Sequence, residues 1–151
     1  MELEQFDVKT TFLHKDLEET IYMSQPEGFV EAKKEDLVCI LRKSLHGLKQ
    51  SQRQWYKRFD TFMLQIGYKR GEYDCCVYSL TFDDGHMIIL MLYVDDLLIA
   101  CRDMSKINEL KGMLNSEFDM KDLSAAKKIL GMEIKRDREN RRLYLSQGKY
   151  V

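Results

Sequence analysis

The chemistry of this 151-residue chain gathers where carboxylates interrupt apolar runs. Residues 87–101 read Met-Ile-Ile-Leu-Met-Leu-Tyr-Val-Asp-Asp-Leu-Leu-Ile-Ala-Cys, and Asp95 and Asp96 are their only charges. Two adjacent negative charges beside a core are costly unless something pairs with them. A divalent cation is the simplest partner, and hard oxygen donors suit Mg²⁺ or Mn²⁺. The competing reading is a plain turn, where Asp is common. Asp83-Asp84-Gly85 provides a comparison within the chain: it lies among polar residues and ends in Gly, as an ordinary hairpin turn does. Asp95-Asp96 has neither Gly nor Asn beside it. Asp7 sits between Phe6 and Val8 in another apolar stretch. A centre with two cations about 3.5–4 Å apart takes ligands from more than one element. Asp7 with the pair fits that demand, whereas Asp7 alone reads as an edge-strand residue.

The elements that must position these groups are legible from periodicity. Leu3 to Val8 alternates and reads as a strand. The runs on either side of Asp95-Asp96 predict a hairpin, Met87 to Val94 and Leu97 to Cys101, with the two carboxylates at its tip. Cys76 to Phe82 is expected to pair with the first of these runs across Asp83-Asp84-Gly85. From about Ser51, the residues Trp55, Phe59, Phe62, Met63 and Ile66 recur at helical spacing, with Gly67 as a stop. Trp55 is therefore expected in the core rather than stacked on a base. Ser105 is the expected cap of a second helix through about Glu117. Leu37 to Leu41 and Ile129 to Lys135 read as strands, 136–142 as a charged turn and Leu143 to Ser146 as a returning strand. Tyr68 to Tyr73 reads as a polar connector.

Composition sets outer bounds. The chain is 44% hydrophobic and 32% charged, which excludes a disordered chain and allows one domain with a real core. A net charge of −1 gives no global argument for nucleic acid. Locally, residues 42–58 hold six Lys or Arg and no acid, interleaved with Trp55 and Tyr56. Arg53, Lys57 and Arg58 lie off the apolar stripe, where they suit phosphates or a solvated face equally. Cys39, Cys75, Cys76 and Cys101 form no CxxC, and the adjacent pair is a poor metal spacing. They read as buried thiols of a reducing compartment. The acidic start lacks a signal-peptide core, and 87–101 is too short and too charged to span a membrane. An intracellular location follows as the expectation, in the cytoplasm, a virus-like particle or the nucleus.

Several blocks in order carry a resemblance: Asp7-Val-Lys-Thr-Thr-Phe-Leu-His14, Ile21-Tyr-Met-Ser-Gln-Pro-Glu-Gly-Phe29, Leu45-His-Gly-Leu-Lys-Gln-Ser-Gln-Arg-Gln-Trp-Tyr56, Tyr93-Val-Asp-Asp96, and Met120-Lys-Asp-Leu-Ser124 with Leu130-Gly-Met-Glu-Ile134. Together they resemble the reverse transcriptase domain of copia-type retrotransposon Pol polyproteins, over essentially the whole chain. Four departures stand out: Lys15 where the family has Gly, His46 for Tyr, Ser51-Gln52 for Ala-Pro, and Ser124 for Gly.

The resemblance implies an α+β fold, an antiparallel sheet with helices on one face. This is a polymerase palm with a ferredoxin-like core, its fingers and thumb truncated. Residues 1–151 would be one partial reverse transcriptase domain, with part of the fingers inserted at about 13–44. The implied activity is RNA-directed DNA synthesis, in which a primer 3′-hydroxyl attacks the α-phosphate of a dNTP with two Mg²⁺ (or Mn²⁺) ions. Asp7, Asp95 and Asp96 would be catalytic and, with the Val8 carbonyl, would hold the metals. Phe12, His46, Gly47 and Tyr93 would line the nucleotide site, Phe12 lying beneath the incoming sugar. Lys49, Arg53, Leu130 and Gly131 would hold template and primer. The implied partners are an RNA or DNA template with its primer, dNTP and the remainder of the Pol polyprotein, with no membrane. The isolated fragment is expected to be weak or inactive. Two other readings are carried: a non-catalytic palm remnant that binds nucleic acid, and a nucleotidyl cyclase-like palm. The second lacks the Gly-Gly-Asp/Glu-Glu-Phe-like turn of such enzymes.

Overall fold

The computed structural model describes residues 1–9, 19–45 and 48–148, without the side chain of Lys49. In chain order the elements are β1 (Glu2–Val8), β2 (Tyr22–Ser24), β3 (Val38–Ile40), α1 (Lys49–Gln65), β4 (Lys69–Arg70), β5 (Val77–Thr81), β6 (Met87–Tyr93), β7 (Asp96–Cys101), α2 (Met104–Glu117), β8 (Met120–Ala125), β9 (Lys128–Ile129), β10 (Met132–Asp137) and β11 (Arg142–Ser146). The chain divides into two compact units, Met1–Lys9 with Phe62–Val151, and Thr10–Thr61.

The larger unit is built on a six-stranded antiparallel sheet in the order β4-β5-β6-β7-β1-β8. Alternation sorts its two faces. Phe6, Leu97, Ile99, Leu92, Leu90 and Tyr78 are buried on one face, with Ile107, Leu110 and Leu114 of α2 completing the core. Phe62 at the end of α1 meets Phe118 edge-on at 5.3 Å. On the other face, Leu3 and Leu98 pack beneath Ala126, Ile129 and Ile134 of the segment leading into the β9–β10–β11 sheet. In the smaller unit, β2 and β3 form a hairpin. Trp55 and Phe59 are buried with ring centroids 5.5 Å apart, which agrees with the core expectation for Trp55.

Four expectations are corrected. The hairpin tip is Val94-Asp95, not Asp95-Asp96, because Tyr93 pairs with Asp96 and Val94 takes φ 58°. The cap of α2 is Asp103, whose carboxylate accepts from the Ser105 N–H. Residues 129–135 are not one strand: Leu130-Gly131, at φ 49° and 80°, form a two-residue turn between β9 and β10. Both values are positive, as a type I′ hairpin requires. Finally, Lys69–Arg70 of the expected connector pairs with β5 as an edge strand.

Ser124, which replaces a family Gly, sits at φ 61° where β8 slips register against β1. The left-handed region strains any residue with a Cβ. The Asp122 carboxylate accepts from the Ser124 N–H at 2.7 Å, and a glycine would keep that bond. Ser124→Gly is expected to raise stability by about 0.5–1 kcal/mol, strain relief exceeding the entropy cost of glycine. Urea unfolding checks this, and a lowered midpoint would contradict it.

Candidate functional site

Register places the carboxylates together. Asp7 of β1 lies opposite Asp96 of β7, and Asp96 lies opposite Tyr93 of β6. On its other side Asp7 faces Lys121 of β8. Tyr93, Asp96, Asp7 and Lys121 therefore form one row across four strands, on the face opposite α2. The Val8 N–H donates to the Asp95 carbonyl at 2.9 Å. Hydrogen-bonded and open pairs alternate along an antiparallel ladder, so Asp7–Asp96 is an open pair. In such pairs the Cα atoms approach to about 4.5 Å and the side chains are closest.

The hairpin that carries Asp95 is tight and strained. A β-branched residue at positive φ is an outlier, and Val94 takes that position as the first corner of the turn. This conformation matches a II′ turn, whose twist suits the flanking strands. It holds Asp95 at the tip, exposed, one residue beyond the sheet row.

Electrostatics mark Asp7 as the group under load. Partial burial pushes its carboxyl above the ordinary range, and the charges of Asp95 and Asp96 push it the same way. The Lys121 ammonium pulls it back. The oxygens of Asp7, Asp95 and Asp96 do not all lie within 4.8 Å of one another. As a donor set, two strand carboxylates and one at the adjoining turn, with a neighbouring backbone carbonyl, suit a hard divalent cation. Val8 buries its side chain, and its N–H bond shows that its peptide edge faces the Asp95 turn.

Two residues absent from the sequence reading join the site. Gln5 Nε2 donates to Asp96 Oδ1 at 3.1 Å, fixing one oxygen of that carboxylate. Lys121 stands beside Asp7. Strand alternation around Asp7 was enough to place Gln5 on the Asp7 face, whereas Lys121 needed the β1–β8 pairing.

The remaining expected site residues divide cleanly. Leu130 and Gly131 form the β9–β10 turn, and with Gln5, Asp96, Lys127 and Lys128 they line a cleft of about 490 Å³. Asp96 and the apolar turn thus share one cleft within the larger unit. Tyr93 is half exposed beside Asp96. Arg53 is exposed on α1, in the smaller unit. Phe12, His46 and Gly47 lie outside the described residues, as does the side chain of Lys49.

Comparison with known proteins agrees with the motifs. The family model described as reverse transcriptase (RNA-dependent DNA polymerase) matches residues 1–151. A retrovirus-related Pol polyprotein from transposon TNT 1-94 of Nicotiana tabacum is 56% identical over 151 residues, covering 100% of this chain and 11% of its own length. A retrovirus-related Pol polyprotein from transposon RE2 of Arabidopsis thaliana is 38% identical, covering 99% of this chain and 10% of its own length. A putative transposon Ty5-1 protein of Saccharomyces cerevisiae is 34% identical, covering 96% of this chain and 46% of its own length. The chain spans about a tenth of the two plant polyproteins. No solved structure matches it. Among the described residues no helix is long and apolar enough to cross a membrane. The chain belongs to the reverse transcriptase (RNA-dependent DNA polymerase) family, and its relatives are Pol polyproteins of copia-type transposons.

Proposed function

We propose that this chain is the palm part of an RNA-directed DNA polymerase, extending a primer 3′-hydroxyl with a dNTP on an RNA or DNA template. The observation that carries the reading is the Asp7–Asp96 pair across β1 and β7, with Asp95 at the strained turn beside it. Asp7, Asp95 and Asp96, with the Val8 carbonyl in support, would hold two divalent ions, Mg²⁺ or Mn²⁺. When bound, such ions sharpen the attacking hydroxyl and offset charge on the leaving oxygens. Gln5 holds Asp96 so that one oxygen stays directed along the sheet face.

Around this centre the roles follow from place. The Leu130-Gly131 turn presents an exposed apolar side chain to the cleft that Asp96 lines. A leucine held at positive φ is strain of the kind found at ligand clamps. It seats the sugar of the primer end, and Lys127 and Lys128 face its phosphates. The family resemblance, rather than placement, assigns nucleotide binding to Phe12, His46, Gly47 and Tyr93 and template binding to Lys49 and Arg53. On this reading, the compact Thr10–Thr61 unit contributes part of the fingers.

The test is extension of a labelled DNA primer on an RNA template by the reduced chain. The expected result is weak Mg²⁺-dependent product, in line with an incomplete polymerase, that disappears with EDTA and returns on adding Mg²⁺. Template binding without extension would leave a palm remnant that only binds nucleic acid, and would overturn the claim that this chain is an enzyme by itself.

A further inference from the structure

Adjacent Cys75-Cys76 is a poor metal spacing on a strand, and all four thiols are expected to be buried. Only Cys101 is buried, and Cys75 is exposed. The difference lies in the backbone. On a strand, neighbouring side chains point to opposite faces, but here the two cysteines are the corner residues of a β-turn. The Val77 N–H donates to the Asp74 carbonyl at 3.1 Å, which closes the turn. Asp74, at the first position of the turn, accepts from the Cys76 N–H through Oδ1 at 2.8 Å. Asp is favoured at that position for this bond. The two thiol sulfurs and an Asp74 carboxylate oxygen lie within 4.8 Å of one another.

The loop is built rather than loose. The Gly71 N–H donates to the Val77 carbonyl at 2.7 Å, and a Cβ on Gly71 would stand 2.7 Å from the Asp74 carbonyl oxygen. The Cys76 carbonyl accepts from the Leu92 N–H at 2.9 Å, one residue before Tyr93. The turn is thereby tied to the strand that leads into the Val94-Asp95 tip.

Among the described residues, Asp74, Cys75 and Cys76 are the only group of three or more His, Cys, Asp or Glu whose ligand atoms all lie within 4.8 Å of one another. Around a tetrahedral cation with bonds of about 2.3 Å, two sulfurs stand roughly 3.8 Å apart. A spread within 4.8 Å is compatible with that spacing. Two sulfurs and one oxygen favour a thiophilic ion over Mg²⁺. Exposure leaves the fourth position to water. We propose that Asp74, Cys75 and Cys76 form a three-ligand site for a thiophilic divalent cation of the Zn²⁺ type, set apart from the carboxylates that take Mg²⁺.

The test is titration of the reduced full chain with Cd²⁺ in excess Mg²⁺, following thiolate-to-metal charge-transfer absorbance. The expected result is saturation at one equivalent. Cys75→Ser and Cys76→Ser should each weaken binding at least about a hundredfold. Asp74→Asn still accepts the Cys76 N–H and so keeps the turn. It should retain the sulfur band and weaken binding by about tenfold. Cys39→Ser and Cys101→Ser should bind as the parent does, and so should Asp95→Asn. A band that survives in Cys75→Ser and Cys76→Ser, or a parent with no saturable band, would overturn the proposal.

Discussion

Lys111→Met is expected to cost about 3–5 kcal/mol of folding stability at neutral pH. Lys111 lies on α2 and is only 6% exposed. Its ammonium meets Glu4 of β1 at 2.9 Å and both oxygens of Asp122 of β8 at 2.9 and 3.0 Å. It also lies 4.9 Å from the centre of the Phe6 ring, within cation–π range. Glu4 is nearly as buried as Lys111, whereas the Asp122 side chain is half exposed. Methionine fills the space but leaves the Glu4 carboxylate in the core without its cation, beside another acid. The unpaired charge dominates the loss, so Lys111→Met/Glu4→Leu should recover much of it. Urea unfolding of the two single variants and the double variant measures both claims. A loss below about 1 kcal/mol for Lys111→Met would show that the triad contributes no more than a surface pair. The triad also concerns the site, because it anchors α2 to β1 and β8 on the face opposite Asp7.

Asp7→Asn is expected to lower primer extension by at least about a thousandfold, which is about 4 kcal/mol of transition-state stabilisation. Asparagine keeps the shape and a carbonyl oxygen, but it lacks the charge that a bridging ligand supplies. The same change should stabilise the metal-free chain near neutral pH. Burial and the charges of Asp95 and Asp96 raise the Asp7 carboxyl above its ordinary value of 3.8. The folded state thus binds this proton more tightly than the unfolded state. That contribution is complete below the ordinary value and is lost as pH rises through the raised one. Above that window the parent holds a disfavoured charge and the variant does not. Thermal unfolding against pH should show the advantage of Asp7→Asn fading in acid. Mn²⁺ should reverse it, since a cation that binds only the folded parent stabilises it by mass action. A loss of stability that accompanies the loss of activity would make Asp7 an ordinary structural residue.

Much of this arrangement is legible in the chain, and the exceptions have physical reasons. The carboxylate hairpin is visible because charge inside an apolar run has few explanations. Asp7 is visible for the same reason, and its neighbours Phe6 and Val8 set its face. The hairpin tip reads one residue late because Val94, a poor turn former by propensity, is held at positive φ by the pairing of Tyr93 with Asp96. Ile129-Leu130-Gly131-Met132 looks like an unbroken strand for a similar reason: Leu130 accepts a left-handed conformation that its side chain disfavours. β8 is exposed along five of its six residues, so it carries no apolar signal, and with it Lys121 goes unseen. Glu4 reads as a solvent-facing acid until Lys111, 107 residues away, is placed beneath it. The Asp74–Cys75–Cys76 cluster depends on a turn whose bonds are local but whose ligand geometry emerges only in three dimensions.

The most direct test of the carboxylate centre is to map where a divalent ion sits in the folded chain. Fe²⁺ substituted for Mg²⁺, with ascorbate and peroxide, cleaves backbone next to its ligands. Cuts are expected at the end of β1 near Asp7 and within Tyr93–Asp96, both suppressed by excess Mg²⁺ and absent from Asp95→Asn. Cleavage elsewhere, or cuts at these places that persist unchanged in Asp95→Asn, would contradict this expectation.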